Sequence, residues 1–558
     1  MKTYLSFSRI AVMSALIAVF SLASLPANAA EPSKDTNRYL IQYQHGNADA
    51  LKALIAANGG TVVFDYSALF DGLAADLSAE GRRAVRRSGL ATTIEEDDAR
   101  TLHPLPPNFP VGPFDEFVGW GVDRVQADIV WSNGPNSGAA DDGLAAPNVA
   151  GGAVTGSGVV VGVLDTGIDF DQPDLAGNVI DDRGSGVVRD FLFFDDDPSD
   201  DEVPAPPIQG HGTSSASVIA SVDNTVGVIG VAPQAQIRPY RVCFADFVRG
   251  CPLSAIIGGL VQAVVDGVDV INMSFGGGAG FNLEASAIQA ANAAGIVLIA
   301  SAGNEATQQP SFPAAYDTVL AVGATDINDN PASFTNVGGW VDVTGPGVDV
   351  PAATCLGCGR QAFLDELSPR AQSFSAIAMS GSAVASVLNT EIVDVGRGCV
   401  TSLGDIHTAD PTGKVALIVR GDCSFAEKVE GAEAAGAVGT VVFNNAPGNF
   451  SGTLGEFTST GPSVSVSQED GQTLQGDISG GVTIVDLSVV ATDYELVSGT
   501  SFSGPHVAGV AALVKSVDPS LSPIQVRKII ETTAEPLGPN VIFGNGMVRA
   551  DAAVNAAQ

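Results

Sequence analysis

Positive charge is scarce in this chain. Its 558 residues include 26 lysines and arginines, of which only seven are lysines, against 62 aspartates and glutamates, and the formal net charge is −36. A protein with such a negative field is repelled by the phosphate backbone of nucleic acids, and it tends to stay soluble or to attract basic partners. We therefore expect no nucleic acid among its partners.

Long apolar runs are also scarce, and the one that stands out lies at the N-terminus. Lys2 and Arg9 precede an apolar run over 10–25, and the small residues Ala-Asn-Ala follow at 27–29. This pattern is typical of a secretory signal peptide. The alternative, a membrane anchor, is disfavoured because the run is too short to span a bilayer comfortably. The pattern predicts a signal peptide over 1–29, a secreted protein and no membrane span.

Cysteine is rare as well, with six in the whole chain. Secretion permits disulfides, and the cysteines lie in three pairs that are close in sequence: Cys243 with Cys251, Cys355 with Cys358, and Cys399 with Cys423. Several connectivities are possible, and local pairing is one hypothesis among them. The Cys-Leu-Gly-Cys motif at 355–358 could instead be a redox or zinc half-site, but no second cluster accompanies it, so a structural disulfide is favoured.

The remaining chain falls into segments of different pattern. Residues 38–103 hold helical and strand-like stretches that predict a small α+β module, and a proline-rich stretch at 103–117 predicts an extended, accessible linker. Further on, continuous aliphatic runs alternate with helical patterns, which favours an α/β fold with a parallel sheet and helices on both faces. Residues 375–490 are rich in Gly, Ser, Thr and Val and break this alternation, so we interpret them as an inserted module.

Four polar residues follow or begin the aliphatic segments. Asp165 ends one strand-like run, His211 begins a helical pattern, Asn304 follows another aliphatic run, and Ser501 begins the last buried helix. The carboxyl ends of parallel strands share one edge of a sheet. A nucleophilic serine needs a base, an orienting carboxylate and a donor for the oxyanion. Each residue alone is ordinary in a cap or turn, but together they predict Ser501 as nucleophile, His211 as base, Asp165 as its orienting partner and Asn304 as oxyanion donor.

The surrounding motifs carry a family resemblance. They read VLDTGID around Asp165, HGT at His211, MSFGGG at 273–278, ASAGNE around Asn304 and GTSFSGPHVAG around Ser501. These motifs resemble those of the subtilisin-family serine proteases, the subtilases. The order Asp, His, Ser along the chain is the order used by subtilisin. Two departures leave the four groups intact: Gln172 stands where a histidine is common, and Ser-Ser-Ala follows HGT.

The resemblance implies a domain plan and an activity. It implies a three-layer subtilisin-like catalytic domain formed by 116–374 and 491–558, a propeptide over 30–115 with an inhibitor-like α+β core at 38–103, and an inserted α+β protease-associated domain at 375–490. The implied activity is serine endopeptidase catalysis through an acyl-enzyme, on protein or peptide substrates, by a monomer made as a zymogen that its own propeptide inhibits. The alternatives are a non-catalytic scaffold that binds proteins or peptides, and an esterase with the same triad.

The resemblance also implies substrate-binding residues. They are Ser274, Phe275, Gly276 and Gly303, with the rest of 300–303 beside them. The motif has glycines and no acid after Phe275. We therefore predict a roomy, uncharged pocket that prefers a large apolar residue immediately before the cut.

No catalytic cofactor is expected, but the resemblance implies a structural calcium ion. The loop SVDNTVGVIGVAP after His211 resembles the calcium loop of the family, with the Asn224 side chain, the Asp174 carboxylate and, in the linker, Glu116 around the ion. Backbone carbonyls would come from three valines: Val222, Val226 and Val228. Oxygen ligands of this kind suit Ca²⁺. The alternative is a plain turn, and the acidic run at 193–202 is interpreted as a solvated loop rather than a metal site.

Overall fold

The computed structural model describes residues 36–102, 116–131, 153–200, 210–245, 249–404, 407–448, 450, 452–455 and 457–558. The predicted signal peptide at 1–29 and most of the proline-rich linker lie outside these residues. Among the helices that are described, none is long and apolar enough to cross a membrane.

The N-terminal unit is an antiparallel sheet packed against two helices. Its strands are Thr36–Tyr43, Thr61–Asp65, Gly72–Ser78 and Ala91–Glu96, and its helices are Ala48–Ala57 and Ala79–Ser88. The second helix begins at Ser78, whose side chain accepts a hydrogen bond from the Gly81 amide, and ends at Gly89, whose φ of 70° suits glycine. Apolar residues of both helices and of the sheet form its core, as the sequence predicts.

A six-stranded parallel sheet forms the centre of the largest unit. In spatial order its strands are Val343–Pro346, Val319–Thr325, Val297–Ser301, Val270–Met273, Val160–Asp165 and Gln236–Arg241. The strands are largely buried because helices cover both faces, which explains why they read as aliphatic runs. One apolar cluster lies on each face of this sheet. The predicted α/β class is confirmed.

Helices on one face include His211–Ala220 and Thr500–Val517, which we call the histidine helix and the serine helix. Every residue of the histidine helix is buried, as is the serine helix from Thr500 to Lys515. The other helices of this unit, apart from the 3-10 turn Pro173–Leu175, are Trp120–Arg124, Ala127–Trp131, Leu253–Asp266, Asn282–Ala293, Pro523–Thr533, Asn540–Phe543 and Ala550–Ala557. A two-stranded parallel pair joins Phe117–Val118 to Val228–Ile229.

A separate eight-stranded sheet is inserted between the large unit's last sheet strand and the serine helix. In spatial order its strands are Gln372–Phe374, Gly359–Ser368, Thr483–Thr492, Ala385–Gly396, Val415–Val419, Gly439–Phe443, Ser463–Val466 and Ala376–Ala378, and its helices are Phe425–Ala434 and Gln468–Gly480. The predicted insert spans 375–490, whereas this sheet begins at Gly359. The reason is that Gly359–Ser368 pairs along its whole length with Thr483–Thr492.

The insert is joined to the large unit by two adjacent strands. Val350–Ala353 pairs antiparallel with Tyr494–Val497, so the chain enters and leaves the insert side by side. We call this pair the neck. Its second strand ends at Val497, three residues before the serine helix begins at Thr500.

Three disulfides join the cysteines as the local-pairing hypothesis states. They are Cys243–Cys251, Cys355–Cys358 and Cys399–Cys423. The structure therefore assigns the 355–358 motif to a disulfide rather than a zinc half-site. The first bridge connects the end of the strand Gln236–Arg241 to the short strand Cys251–Pro252, which lines the cleft described below.

Candidate active site

Asp165 and His211 are in direct contact. Asp165 is the last residue of a central strand and His211 is the first residue of the histidine helix, and the His211 Nδ1 atom lies 2.7 Å from Asp165 Oδ1. The approach depends on glycine, since a Cβ at Gly212 would lie 2.1 Å from the Gly167 carbonyl oxygen. Gly167 itself has a φ of 109°, which an L side chain rarely adopts.

The Asp165 carboxylate is buried and accepts further hydrogen bonds. The Thr166 amide donates to Oδ1 at 2.8 Å, and the Ser215 hydroxyl donates to Oδ2 at 3.4 Å. Because an ionised carboxylate only accepts hydrogen bonds, His211 Nδ1 is the donor in its contact with Asp165. The Nε2 atom on the other side of the ring is buried and has no hydrogen-bond partner among the described residues.

Asp200 supports the same corner and was missed in the sequence. Its Oδ2 atom accepts the Thr166 hydroxyl at 3.0 Å and the Gly210 amide at 2.8 Å, while the Thr166 hydroxyl accepts the Gly212 amide at 3.0 Å. Burial raises the pKa of Asp200 well above its usual value. Asp200 therefore stabilises the start of the histidine helix. The sequence had predicted a solvated loop over 193–202.

Ser501 lies in the first turn of the serine helix, where Gly499 with a φ of 142° precedes it. Its hydroxyl donates to the backbone oxygen of Ser274 at 2.9 Å, and the Ser274 hydroxyl donates back to the backbone oxygen of Ser501 at 2.7 Å. The Phe502 ring lies 5.3 Å from the His211 ring, measured between centroids. The serine helix thus contacts both His211 and Ser274, which lies between the strands Val270–Met273 and Phe275–Gly276.

Asn304 is held by the residue before Ser501. Its side-chain oxygen accepts the Thr500 amide at 2.9 Å and the Thr500 hydroxyl at 2.8 Å, and the Gly303 amide donates to the Thr500 hydroxyl at 3.0 Å. With its oxygen end fixed by Thr500, the Asn304 side chain has its amide nitrogen as the group that can donate to an oxyanion.

Two of the predicted substrate residues, Phe275 and Gly276, form one edge of a cleft that holds a strand of the N-terminal unit. The strand Ala99–Leu102 of the N-terminal unit runs antiparallel between two edges, Phe275–Gly276 on one side and Cys251–Pro252 on the other. Leu102 lies opposite Phe275, and Thr101 lies opposite Gly276. The Phe275 side chain is fully buried in the core, so this residue meets the bound strand through its backbone rather than as a pocket wall.

The residues predicted to hold calcium also come together. The Val228 amide donates to Asp174 Oδ2 at 2.9 Å, and the Val222 amide donates to the Asp174 backbone oxygen at 2.7 Å. The side-chain oxygen of Asn224 accepts the Val226 amide at 3.0 Å, and the backbone amide of Asn224 donates to a Glu116 carboxylate oxygen at 2.5 Å. In the part of the chain that the structure describes, no cluster of three or more His, Cys, Asp or Glu side chains is suited to a metal.

Glu495 is a partly exposed carboxyl in contact with the histidine helix that the sequence did not reveal. It lies in the neck strand Tyr494–Val497, and the Ser214 hydroxyl of the histidine helix donates to it at 3.4 Å. Burial raises the pKa of Glu495 to about 7, and hydrogen bonds together with the charges of Arg360 and His211 act in the opposite direction. The neck therefore touches the histidine helix through this carboxyl.

Comparison with known proteins gives one consistent result. A sequence profile described as the subtilase family matches residues 156–546. Alkaline elastase YaB from Bacillus sp. (strain YaB) is 26% identical over 98% of both chains, and subtilisin NAT from Bacillus subtilis subsp. natto is 30% identical over 61% of this chain and 80% of its own. The crystal structure of the psychrophilic subtilisin-like protease Apa1 from Pseudoalteromonas sp. AS-11 matches with a TM-score of 0.51 and 27% identity, covering 79% of this chain and 97% of that one.

Proposed function

The chain belongs to the subtilase family and is a serine endopeptidase, and from that premise we propose that Asp165, His211 and Ser501 are its catalytic triad. The observation that carries the assignment is the 2.7 Å contact between buried Asp165 and His211, whose Nε2 has no other partner among the described residues. Replacement of Ser501 with alanine, which should abolish nearly all peptide hydrolysis, tests it.

The arrangement supports a two-step hydrolysis. Ser501 leaves its bond to the Ser274 oxygen and attacks the substrate carbonyl carbon while His211 Nε2 takes its proton. Asp165 stabilises the imidazolium that forms. The tetrahedral intermediate collapses when His211 protonates the departing amine, leaving an acyl-enzyme on Ser501. A water molecule, activated by His211 in the same way, then releases the acid product and regenerates the serine.

Asn304 stabilises the negatively charged oxygen of the tetrahedral intermediate. Its side-chain amide and the backbone amide of Ser501 are the donors that we assign to the oxyanion. The two bonds from Thr500 hold the Asn304 oxygen, so the donor end is oriented before substrate arrives. Such preorganised donors act on charge that appears only in the transition state.

Replacing Asn304 with leucine should lower kcat by about 100- to 1000-fold and leave KM nearly unchanged, because it removes one oxyanion donor. Steady-state hydrolysis of a chromogenic peptide measures both constants. Asn328→Ala, an exposed substitution in a turn, is the matched control and should keep wild-type rates. A loss confined to KM would contradict the assignment of Asn304.

The N-terminal unit is proposed to be the inhibitory propeptide of a zymogen. Its strand Ala99–Leu102 fills the cleft that a substrate strand would use. Two of its carboxylates also meet helix N-termini of the large unit. Glu95 accepts the Asn282 amide at 3.0 Å, and Asp97 accepts the Ser254 amide at 2.9 Å. Carboxylates are favoured at such positions. Activation then requires cleavage after this unit and its departure.

The signal-like N-terminus and the insert suggest where the protease acts and how access to it is controlled. The N-terminal pattern at 1–29 supports export of the precursor. We assign the insert, predicted at 375–490, to a protease-associated domain that controls access to the cleft, since its neck contacts the histidine helix through Glu495. The preference for a large apolar residue immediately before the cut stays a prediction, supported by the uncharged sequence after Phe275.

Calcium is proposed as a structural ion held by Asp174, Asn224 and the carbonyls of Val222, Val226 and Val228. The residues fit a cation in one respect above all: the buried Oδ1 atom of Asp174 has no hydrogen-bond partner among the described residues. Burial raises the pKa of Asp174 to about 6, and a cation would have the opposite effect. The ion would supply rigidity and no chemical step.

Removing calcium with a chelator should lower the thermal midpoint of unfolding by about 5–10 °C, because a ligand at 100 times its Kd stabilises the folded state by about 2.7 kcal/mol. Scanning calorimetry with and without added calcium measures the change. Asp174→Asn should abolish the response, whereas Asp171→Asn, an exposed acid nearby, should retain it. An unchanged midpoint in wild-type protein would refute the site.

A further inference from the structure

A buried ion pair crosses the substrate cleft. Arg100, on the strand that fills the cleft, meets Glu284 of the helix Asn282–Ala293 through two parallel bonds, Nε to Oε1 at 3.1 Å and a terminal guanidinium nitrogen to Oε2 at 2.5 Å. The side chains are 3% and 0% exposed. A fully buried carboxylate is costly unless a cation and hydrogen bonds compensate it. The large unit therefore carries a buried acid whose cation comes from the bound strand.

The surroundings of Glu284 are shaped for a planar cation. The Tyr316 hydroxyl donates to Glu284 Oε2 at 2.7 Å, and the Phe281 ring centroid lies 5.4 Å from the central carbon of the Arg100 guanidinium. Aromatic faces attract such cations. Gly277 forms the remaining wall, where an added Cβ would lie 2.9 Å from a guanidinium nitrogen of Arg100. We call these four residues, Gly277, Phe281, Glu284 and Tyr316, the Glu284 pocket.

The register of the bound strand relates this pocket to Ser501. Leu102 lies opposite Phe275, so a strand that continues in this register places its next residue opposite Ser274. The Ser274 backbone oxygen is the group that accepts the Ser501 hydroxyl. The residue opposite Ser274 is therefore the one whose carbonyl Ser501 attacks, and the residue at the position of Arg100 comes three places before it. That position is the fourth before the cut bond.

We propose that the Glu284 pocket is a specificity site that selects a basic side chain, arginine above lysine, at the fourth residue before the cut bond of a peptide substrate. The inference rests on the proposed role of Ser501. Once the N-terminal unit leaves, Glu284 keeps Tyr316 as a donor but lacks its cation. A substrate arginine restores both parallel bonds and the aromatic contact, which the compact ammonium of lysine reproduces only in part. A neutral residue there leaves the buried acid uncompensated.

The test compares four peptides with the processed wild-type enzyme. They share one sequence, with a large apolar residue before the cut, and differ only at the fourth position: arginine, lysine, citrulline or leucine. Citrulline keeps the shape of arginine without its charge. We expect kcat/KM to be about 100-fold higher for arginine than for citrulline, with lysine between them. Mass spectrometry of the products confirms that all four are cut at the same bond.

Variants of Glu284 then link the preference to the pocket. In Glu284→Gln the ratio of kcat/KM for the arginine and citrulline peptides should fall below about 3, since the charge that the ratio measures is gone. Asp317→Asn, which removes an exposed acid next to Tyr316, is the matched control and should keep the full ratio. The comparison of the four peptides uses only the wild-type enzyme. The inference can therefore be tested even if Glu284→Gln fails to fold.

Two outcomes would overturn the inference in different ways. Equal kcat/KM for the arginine and citrulline peptides would show that Arg100 and Glu284 only dock the N-terminal unit, while the serine mechanism stands. Absence of any hydrolysis sensitive to a serine-directed inhibitor, with all four peptides, would overturn the role of Ser501 and the pocket inference together.

Discussion

Replacing Ser501 with alanine is expected to lower kcat for peptide hydrolysis by about 10⁶-fold, the size of the loss measured when the serine or the histidine is removed from a subtilisin. The reason is that no acyl-enzyme can form without the hydroxyl. The substitution also removes the bond to the Ser274 oxygen but keeps the backbone amide that we assign to the oxyanion. A slow residual rate above that of water alone should therefore remain.

Two measurements check this result. The first is the rate of peptide hydrolysis, and the second is covalent labelling by a sulfonyl fluoride, which should add mass to Ser501 in the wild-type enzyme and not in the variant. Ser503→Ala is the matched control, because Ser503 is buried two positions away on the same helix and its hydroxyl has no hydrogen-bond partner among the described residues. It should keep both activity and labelling. Labelling at another serine with full activity in Ser501→Ala would refute the assignment.

Replacing Asp165 with asparagine should lower kcat by about 10⁴-fold with a small change in the thermal midpoint. The structure makes this substitution a test of charge rather than of orientation. Both His211 Nδ1 and the Thr166 amide contact the same oxygen, Oδ1, so an asparagine oxygen at that position can accept both bonds. What it cannot do is stabilise the imidazolium, and in a site with no solvent exposure that stabilisation is large.

The control for Asp165→Asn is Asp171→Asn, which removes the charge of an exposed carboxylate on the following loop. It should alter kcat by less than about twofold, since exposed charges are screened by water and salt. Calorimetry of both variants separates lost catalysis from lost folding. If Asp165→Asn kept more than a tenth of wild-type kcat, the proposed role of Asp165 would be wrong.

Local sequence patterns predicted the class of the fold, and they also singled out the residues that we propose as the active site. Asp165 and Asn304 were recognisable because each follows an aliphatic run, and parallel sheets bring the ends of such runs to one edge. His211 and Ser501 were recognisable because each begins a buried helix within a motif of small residues. Each of these signals is local in the sequence. The six-stranded sheet then brings the residues that carry them close together in space.

The residues that were missed have partners distant in sequence. In the sequence, Glu284 looks like any acidic residue near the start of a helix. Only its burial against Arg100 and Tyr316 distinguishes it from such residues. Glu495 was missed for the same reason, since its partner Ser214 lies 281 residues away, and Asp200 was missed because its bond to the Thr166 hydroxyl crosses 34 residues. Composition and periodicity carry no information about such pairs.

The boundary of the insert shows a related limit. In the strand Gly359–Ser368, buried residues alternate with partly exposed ones over most of its length, and the sequence does not say which sheet the strand joins. Its partner Thr483–Thr492 lies at the far end of the insert. The two ends of the insert pair with each other although they lie far apart in the sequence. A boundary placed at a change in composition therefore falls inside the insert.

The neck has a consequence for how the chain folds. Closing a loop costs entropy that rises slowly with its length, by roughly 0.6 kcal/mol for each doubling. Because the insert pairs its own first and last long strands, it brings the two sides of the neck together by folding itself. The serine helix then meets the central sheet across a short effective connection. An insert that folds early shortens this connection before the serine helix packs. Ser501 then comes beside His211 after the insert has folded.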